Sequence, residues 1–126
     1  MNATSDMKKN LIHIIYPDDF SSSFIMETEG KVDDKTILEW VFAQWNNGSC
    51  QESELFIKSQ IRSMSVNDIV CVNGNYYQCA SVGWDAVTPN YVTHLIEEVV
   101  NHPKRSECGP YRCLDDIMWQ RKKKTA

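Results

Sequence analysis

Histidine and cysteine side chains give this chain its clearest capacity for chemistry, but their spacing forms no familiar site. The 126 residues include three histidines and five cysteines. Cys108 and Cys113 have four residues between them, not the two of a zinc knuckle, so we do not favour a metal site that adds His102. A thiol–imidazole pair needs both groups within hydrogen-bond reach, and the sequence leaves Cys79 with His13 open. We expect His13 to be a core residue instead.

Motifs of common catalytic and nucleotide-binding sites do not occur in the sequence. It contains no Walker loop, no dinucleotide-binding glycine pattern, no His-Glu-x-x-His and no Gly-x-Ser-x-Gly. The adjacent carboxylates at 18–19, 33–34 and 115–116 point apart on a strand or a helix, so they suit two-carboxylate catalysis poorly. We therefore predict no catalytic residue, no metal and no cofactor. A small thiol- or metal-dependent enzyme is kept as an alternative.

Large aromatic side chains are numerous for a chain of this size. Four tryptophans and five tyrosines occur in 126 residues, so some of them must lie near the surface. Exposed Trp and Tyr are typical anchors of protein interfaces. The residues predicted to contact a partner are Trp40, Tyr76, Trp84 and the neighbouring Asp85.

Charge is distributed unevenly along the chain. Residues 1–103 carry six basic and fourteen acidic side chains, whereas residues 104–126 carry seven basic and three acidic ones. An acidic body repels phosphates, so we do not expect direct nucleic-acid binding. The alternative is a nucleic-acid-binding accessory module that combines stacking on aromatic rings with a basic tail. That tail consists of Arg121, Lys122, Lys123 and Lys124.

Length and composition are those of a single globular domain. Apolar residues make up 42% and charged residues 24% of the chain. Apolar runs are too short to cross a membrane, and the first ten residues lack the apolar segment of a secretory signal. An odd number of cysteines is typical of reduced thiols. We expect one domain over 1–126, flexible tails at 1–9 and 120–126, and a cytoplasmic location.

Hydrophobic patterns predict an α+β fold with about four antiparallel strands in two hairpins. Residues 10–16 predict a strand that is apolar on both faces, and residues 24–29 predict a partner that pairs back on it. Asn73-Gly74 lies between two β-rich runs and predicts a second hairpin with a type I′ turn. In that register Cys71 and Cys79 lie on opposite faces, which excludes a disulfide between them.

Helix signals complete the predicted fold. Asp33 or Asp34 caps a helix that runs to about Asn46 and whose wide apolar arc is flanked by Trp40 and Phe42. Thr88-Pro89 begins a one-sided helix, residues 49–63 hold a short helix or an irregular crossing, and residues 114–118 suggest a short final helix. We expect the helices to pack on one side of the sheet.

Three strings within residues 38–87 share a pattern. They are LEWVF at 38–42, RSMSVNDIV at 62–70 and YYQCASVGW at 76–84. Ser65 and Asp68 are expected to bond nearby backbone and fix the start of a strand.

The pattern resembles that of the YodL-like small domains, which also occur within large polyvalent proteins of phages and conjugative elements. Met64 stands where their pattern has leucine, and Asn67 stands where it has glycine. The resemblance covers about 50 residues. It implies an origin in a bacterial mobile element and brings no catalytic residue with it.

These features predict a small phage- or plasmid-type accessory protein that acts by protein–protein binding. The most concrete class is an inhibitor of a host defence system, of the anti-CRISPR or anti-restriction type. Its partner would be a host protein such as a nuclease or a defence complex, because an acidic surface can occupy the basic groove of a nucleic-acid enzyme. A homodimer is compatible with the sequence.

Overall fold

One antiparallel sheet of five strands organises the molecule, with the order β2-β1-β3-β4-β5. The structure, a computed structural model, describes residues 9–17, 23–101 and 117–118. The predicted α+β class is confirmed. The strands are β1 Lys9–Ile15, β2 Ser23–Glu29, β3 Ile69–Val72, β4 Asn75–Cys79 and β5 Trp84–Val87, and the helices are α1 Asp34–Gln44, α2 Glu54–Ser59 and α3 Pro89–Val100.

The β3–β4 hairpin forms as the sequence predicts. Asn73 and Gly74 have φ angles of 50° and 90°, which a type I′ turn requires at both central residues. The Asn73 side chain also accepts a hydrogen bond from the Leu11 N–H at 2.8 Å and donates to the buried Asn10 at 2.9 Å. The turn therefore fixes the position of β1 beside β3 as well as the register of its own hairpin.

A fifth strand is the main addition to the predicted sheet. The sequence predicts that Gly83, Trp84 and Asp85 end the second hairpin, but the chain reverses at Gly83, which has a φ of 75°, and continues as β5. Tyr77 pairs with Ala86 and Cys79 pairs with Trp84. The strand has only four residues and half of them are exposed, so it gives a weak alternation signal.

Helices cover both faces of the sheet, so the expectation of a one-sided packing is wrong. Ile12 and Ile14 of β1 pack with α1 and α2, whereas Ile15 packs with α3. Successive side chains of a strand point to opposite faces. We call these two surfaces of the sheet the α1 face and the α3 face. The reason for both layers is that β1 and β3 are apolar on both faces, and each face has to be covered.

The α1 face holds the larger core. Ile37, Leu38 and Val41 of α1 are buried against it. Trp45, which follows the helix, is fully buried and packs against the rings of Tyr16, Phe24 and Phe56. Its indole N–H donates a hydrogen bond to the sulfur of Met26 at 3.1 Å. On the α3 face, Val92, Leu95 and Val99 of α3 are buried as their spacing predicts.

Helix boundaries follow the predicted capping residues. Asp33 caps α1 by accepting from the Thr36 N–H at 3.0 Å, and Thr88 caps α3 by accepting from Tyr91 N–H at 3.1 Å. Residues 49–63, left open by the sequence, contain the short helix α2 capped by Ser53. Of the final helix, Ile117 and Met118 are described and are helical.

The remaining expectations about the ends of the chain lie mostly outside the described residues. The predicted tails at 1–9 and 120–126 belong there, apart from Lys9, which begins β1. Residues 114–116 of the predicted final helix also lie outside the described residues. Within the described part of the chain, no helix has the length and apolar character needed to cross a membrane.

A buried ion pair holds the segment before β3 against the sheet. The Asp68 side chain is fully buried and accepts from both terminal nitrogens of Arg62, each at 2.7 Å. It also accepts from the Ser65 N–H at 2.8 Å, which confirms the expected backbone bond at the start of this strand. The Arg62 guanidinium lies over the Tyr16 ring, 4.6 Å from its centroid. The ion pair therefore connects the segment between α2 and β3 with the end of β1, through Tyr16, and with the start of β3, through Asp68.

Replacing Arg62 measures the weight of this ion pair. Arg62→Met keeps an apolar stem but removes the guanidinium that donates two hydrogen bonds to the buried Asp68 carboxylate, so the free energy of unfolding should fall by about 3 kcal/mol. Denaturant unfolding followed by circular dichroism gives the value. Lys58→Met, at an exposed position of α2, is the control and should change it by about 0.5 kcal/mol or less. Equal losses in both variants would contradict this account.

Candidate functional site

An open groove runs between α1 and the β4–β5 hairpin on the α1 face. It consists of two adjoining depressions of 380 and 320 Å³, which share Glu39, Gly83 and Trp84. We call it the α1–β5 groove. Its volume is in the range of sites that hold a small ligand or a few side chains of a partner. Its other lining residues are Asp34, Lys35, Leu38, Phe42, Tyr77, Cys79, Ala80 and Ser81.

Two aromatic rings form the apolar part of the groove. Phe42 on α1 and Trp84 on β5 meet edge to face with centroids 6.4 Å apart. Phe42 is 38% exposed and Trp84 is half-buried, so both rings still offer surface to a partner. The wide apolar arc of α1 explains this position, because Ile37, Leu38 and Val41 are buried in the core and Phe42 remains on the flank toward β5.

Tyr77 closes the end of the groove near the start of α1. Its hydroxyl donates to the Asp34 carboxylate, which also accepts from the Asn75 side-chain amide at 3.2 Å. The hydrogen bond to Asp34, together with burial, raises the pKa of Tyr77 to about 12. The phenol therefore stays protonated near pH 7, and the contact fastens the first turn of α1 to β4.

Cys79 lies at the opposite end of the groove and is buried. Burial, with a further contribution from the Asp68 carboxylate, raises the pKa of its thiol to about 11. A thiol acts as a nucleophile only as thiolate, which is scarce at neutral pH when the pKa is this high. Cys79 and Tyr77 therefore present a protonated thiol and a protonated phenol at the two ends of the groove.

His13 does not approach Cys79, so the dyad that the sequence left open is excluded. His13 pairs with Cys71 across β1 and β3 and lies with it on the α3 face, whereas Cys79 lines the groove on the α1 face. His13 is half-buried, and this burial lowers the pKa of its imidazole. Cys71 and Cys79 are both free thiols on opposite faces, as the hairpin register predicts.

The four residues predicted to contact a partner do not share one surface. Only Trp84 lines the α1–β5 groove. Trp40 is 36% exposed on the other flank of α1, in a separate depression toward β2 that also includes Val32. Tyr76 is half-buried on the α3 face, and Asp85 is exposed on that same face of β5. Their role in binding stays a prediction.

Other residues of the groove escaped sequence reasoning. Glu39 and Tyr77 gave no distinctive signal, because a charged residue on a helix and a tyrosine in a strand are ordinary. Val82 does not line the groove but lies between the lining residues Ser81 and Gly83, at the tip of the β4–β5 turn, and is 90% exposed. An apolar residue between the polar Ser81 and Gly83 of a turn could have indicated a contact surface.

The candidate metal ligands and the basic tail that the sequence predicts lie outside the described residues. Within the described residues, no group of three or more His, Cys, Asp and Glu side chains could hold a metal ion. Cys108, Cys113 and His102 lie outside the described residues, as does the basic segment 121–124. Those hypotheses stay predictions from the sequence.

The thiol environment leads to a prediction about labelling rates. A pKa of about 11 lowers the thiolate fraction of Cys79 at pH 7 roughly 100-fold relative to an ordinary thiol. Cys79 should therefore react with iodoacetamide at least about 100-fold more slowly than the exposed Cys50. Its rate should rise with pH up to about 11. Peptide mapping by mass spectrometry measures each site. Equal labelling of the two cysteines at pH 7 would show that the Cys79 thiol is activated.

Comparison with protein-family models, with curated proteins and with solved structures gives no match to this chain. The resemblance of residues 38–87 to the YodL-like domains therefore stays a prediction from the sequence.

Proposed function

We propose that this protein acts by binding another protein and that the α1–β5 groove is its docking site. The observation that carries the proposal is the exposed pair of Phe42 and Trp84 in an open groove. Partly exposed aromatic rings at a concave surface are typical anchor points for a partner's side chains. Val82, beside the groove, extends the apolar surface available to the partner.

Two of the polar groups that line the groove, Tyr77 and Cys79, support recognition more than they support nucleophilic or acid–base chemistry; Asp34, Lys35 and Glu39 also line it. Tyr77 is held as a hydrogen-bonded phenol, and Cys79 is held as a buried thiol. General acid–base catalysis needs a group whose pKa lies near the working pH, and neither of these qualifies. They can shape and close the groove around a bound segment.

Charge favours a protein partner over a nucleic acid. The charged residues that line the groove are two carboxylates, Asp34 and Glu39, and one lysine, Lys35. Of these, Glu39 is exposed and lines both depressions beside the aromatic pair. Its carboxylate would repel the phosphates that accompany any base stacked on Trp84. A basic side chain of a protein partner would instead be attracted there.

The biological setting that we propose is inhibition of a bacterial defence system. The protein would act in the cytoplasm as an accessory protein of a phage or plasmid and bind a host nuclease or defence complex. Two features support this setting: the resemblance of residues 38–87 to domains of mobile elements, and the acidic character of the body. The described part of the chain carries eleven acidic against five basic side chains, which suits a partner with a basic surface.

Capture experiments with two tryptophan variants test the docking site. Immobilised wild-type protein should retain a specific protein from a lysate of host cells. Trp84→Ala should retain about tenfold less of it, because a central aromatic anchor contributes at least about 1.4 kcal/mol to binding. Quantitative mass spectrometry of the retained proteins measures the loss. Trp40→Ala tests the competing contact predicted from the sequence, since it removes another partly exposed indole on the opposite flank of α1. Ile57→Ala, at an exposed position of α2 outside the groove, is the control and should retain the partner.

The two variants separate the outcomes of this capture. Retention that depends on Trp84 and not on Trp40 supports the groove, provided that circular dichroism shows both variants folded. If Trp40→Ala removes the partner and Trp84→Ala does not, the docking site is wrong. If no protein is retained by the wild type, the proposed function itself fails.

A further inference from the structure

Resting on the proposed function, we infer that the partner contributes an extended peptide segment, which pairs with the free edge of β5 as a sixth strand and places alternate side chains in the α1–β5 groove. Binding by strand addition needs an unpaired strand edge, backbone groups that point outward and side-chain pockets beside it. Each of these three requirements can be examined in the structure.

The edge of β5 is unpaired within the described part of the chain. The sheet order places β5 at the end of the sheet, and its only strand partner there is β4. Proteins often protect such edges with proline, lysine, other charged side chains or very short strands. The sequence of β5 is Trp-Asp-Ala-Val. It contains no lysine or proline, and its one charge, Asp85, lies on the face away from the groove.

Hydrogen bonds of Cys79 show which backbone groups of β5 face outward. The Cys79 N–H donates to the Asp68 carbonyl at 2.8 Å, and the Cys79 carbonyl accepts from the Asn67 N–H at 2.8 Å, so both groups point toward β3. Cys79 is paired with Trp84 in the β4–β5 ladder. Two residues that face each other in an antiparallel pair either exchange both backbone hydrogen bonds or exchange none. Because the N–H and carbonyl of Cys79 point toward β3, Cys79 and Trp84 exchange none, so the N–H and carbonyl of Trp84 point away from β4.

The alternation of the ladder extends this result to Ala86. The neighbouring Ala80 N–H donates to the Gly83 carbonyl at 3.0 Å, which places a bonded contact just before Trp84. Bonded and non-bonded positions alternate along an antiparallel pair, so Ala86, two residues after Trp84, also directs its backbone groups outward. Two N–H donors and two carbonyl acceptors are therefore available to an added strand.

The side chains of the same residues place the added strand beside the groove. Trp84 lines the groove, and Ala86 shares its face because it is two residues along the strand and pairs with Tyr77. Partner residues opposite Trp84 and Ala86 would point to the α1 face, where an apolar side chain meets the rings. The partner residue between them would lie opposite the exposed Asp85 on the other face.

Charge selects a basic residue for that middle position. Opposite charges directly across two strands are stabilising, so lysine or arginine fits opposite Asp85. The partner segment is therefore expected to read apolar–basic–apolar in an extended conformation. A second copy of this chain fits less well, because symmetric pairing of two β5 edges through Trp84 and Ala86 would place the two Asp85 carboxylates opposite each other.

Proline substitution at the edge gives a sharp test. Ala86→Pro removes an N–H that points away from β4, and proline is tolerated on the outer side of edge strands, so the fold should survive. Ala86→Val keeps this N–H and is the matched control. The probes are two capped heptapeptides, one with valine–lysine–valine at its centre and one with valine–glutamate–valine.

Binding and amide exchange together decide the outcome. The lysine peptide should bind the wild type and Ala86→Val with similar affinity. It should bind Ala86→Pro at least about tenfold more weakly. The glutamate peptide should also bind the wild type at least about tenfold more weakly than the lysine peptide does. The amides of Trp84 and Ala86 should exchange rapidly in the free protein and at least tenfold more slowly with the lysine peptide. Protection of both amides in the free protein would overturn the inference, because the edge would already be covered.

Failure of this inference can be told apart from failure of the proposed function. A host protein that is retained equally by wild type and Ala86→Pro, but lost with Trp84→Ala, would leave the groove as docking site and refute strand addition. Retention that is unaffected by either substitution would refute both. Binding of both peptides with equal affinity would overturn the assignment of a basic partner segment.

Discussion

The buried carboxylate of Asp68 is the group on which the rest of this structure depends. Its side chain is held by Arg62 and by the Ser65 N–H, and its backbone carbonyl accepts from the Cys79 N–H. A buried carboxylate is costly unless it is paired and hydrogen-bonded, so this site tolerates little change. The backbone carbonyl of Asp68 anchors the end of β4 at Cys79, while the Asn73-Gly74 turn sets the register of β4 at its start. In turn, β4 positions Tyr77 and β5. The groove and the free edge both follow from this arrangement.

Local signals in the sequence predicted much of the fold. Asn73-Gly74 determined a turn and a register because both residues adopt the positive φ that a type I′ turn needs. Asp33 and Thr88 marked helix starts because their side chains accept from free N–H groups. The strand β5 was missed because four half-exposed residues carry no periodicity, and it forms only through pairing with β4.

Contacts between distant parts of the chain determine the positions of the helices and of the aromatic residues, which the sequence alone does not predict. The sequence shows that β1 is apolar on both faces, but which helix covers which face is decided by packing between distant parts of the chain. Trp84, Tyr76 and Trp40 were selected by residue type, and the structure distributes them over two faces and two flanks of α1. Asn67 has a φ of 81°, a left-handed conformation that an L residue rarely adopts and that local sequence patterns did not indicate here.

The central claim of this account is that the protein works by docking a partner protein on the α1–β5 groove. Site-specific photocrosslinking in the native cells tests it most directly, with a benzophenone amino acid placed at position 82 beside the groove or at the exposed position 57 of α2. The account predicts one specific protein adduct from position 82 and none from position 57. An adduct from position 57 with none from position 82 would contradict it.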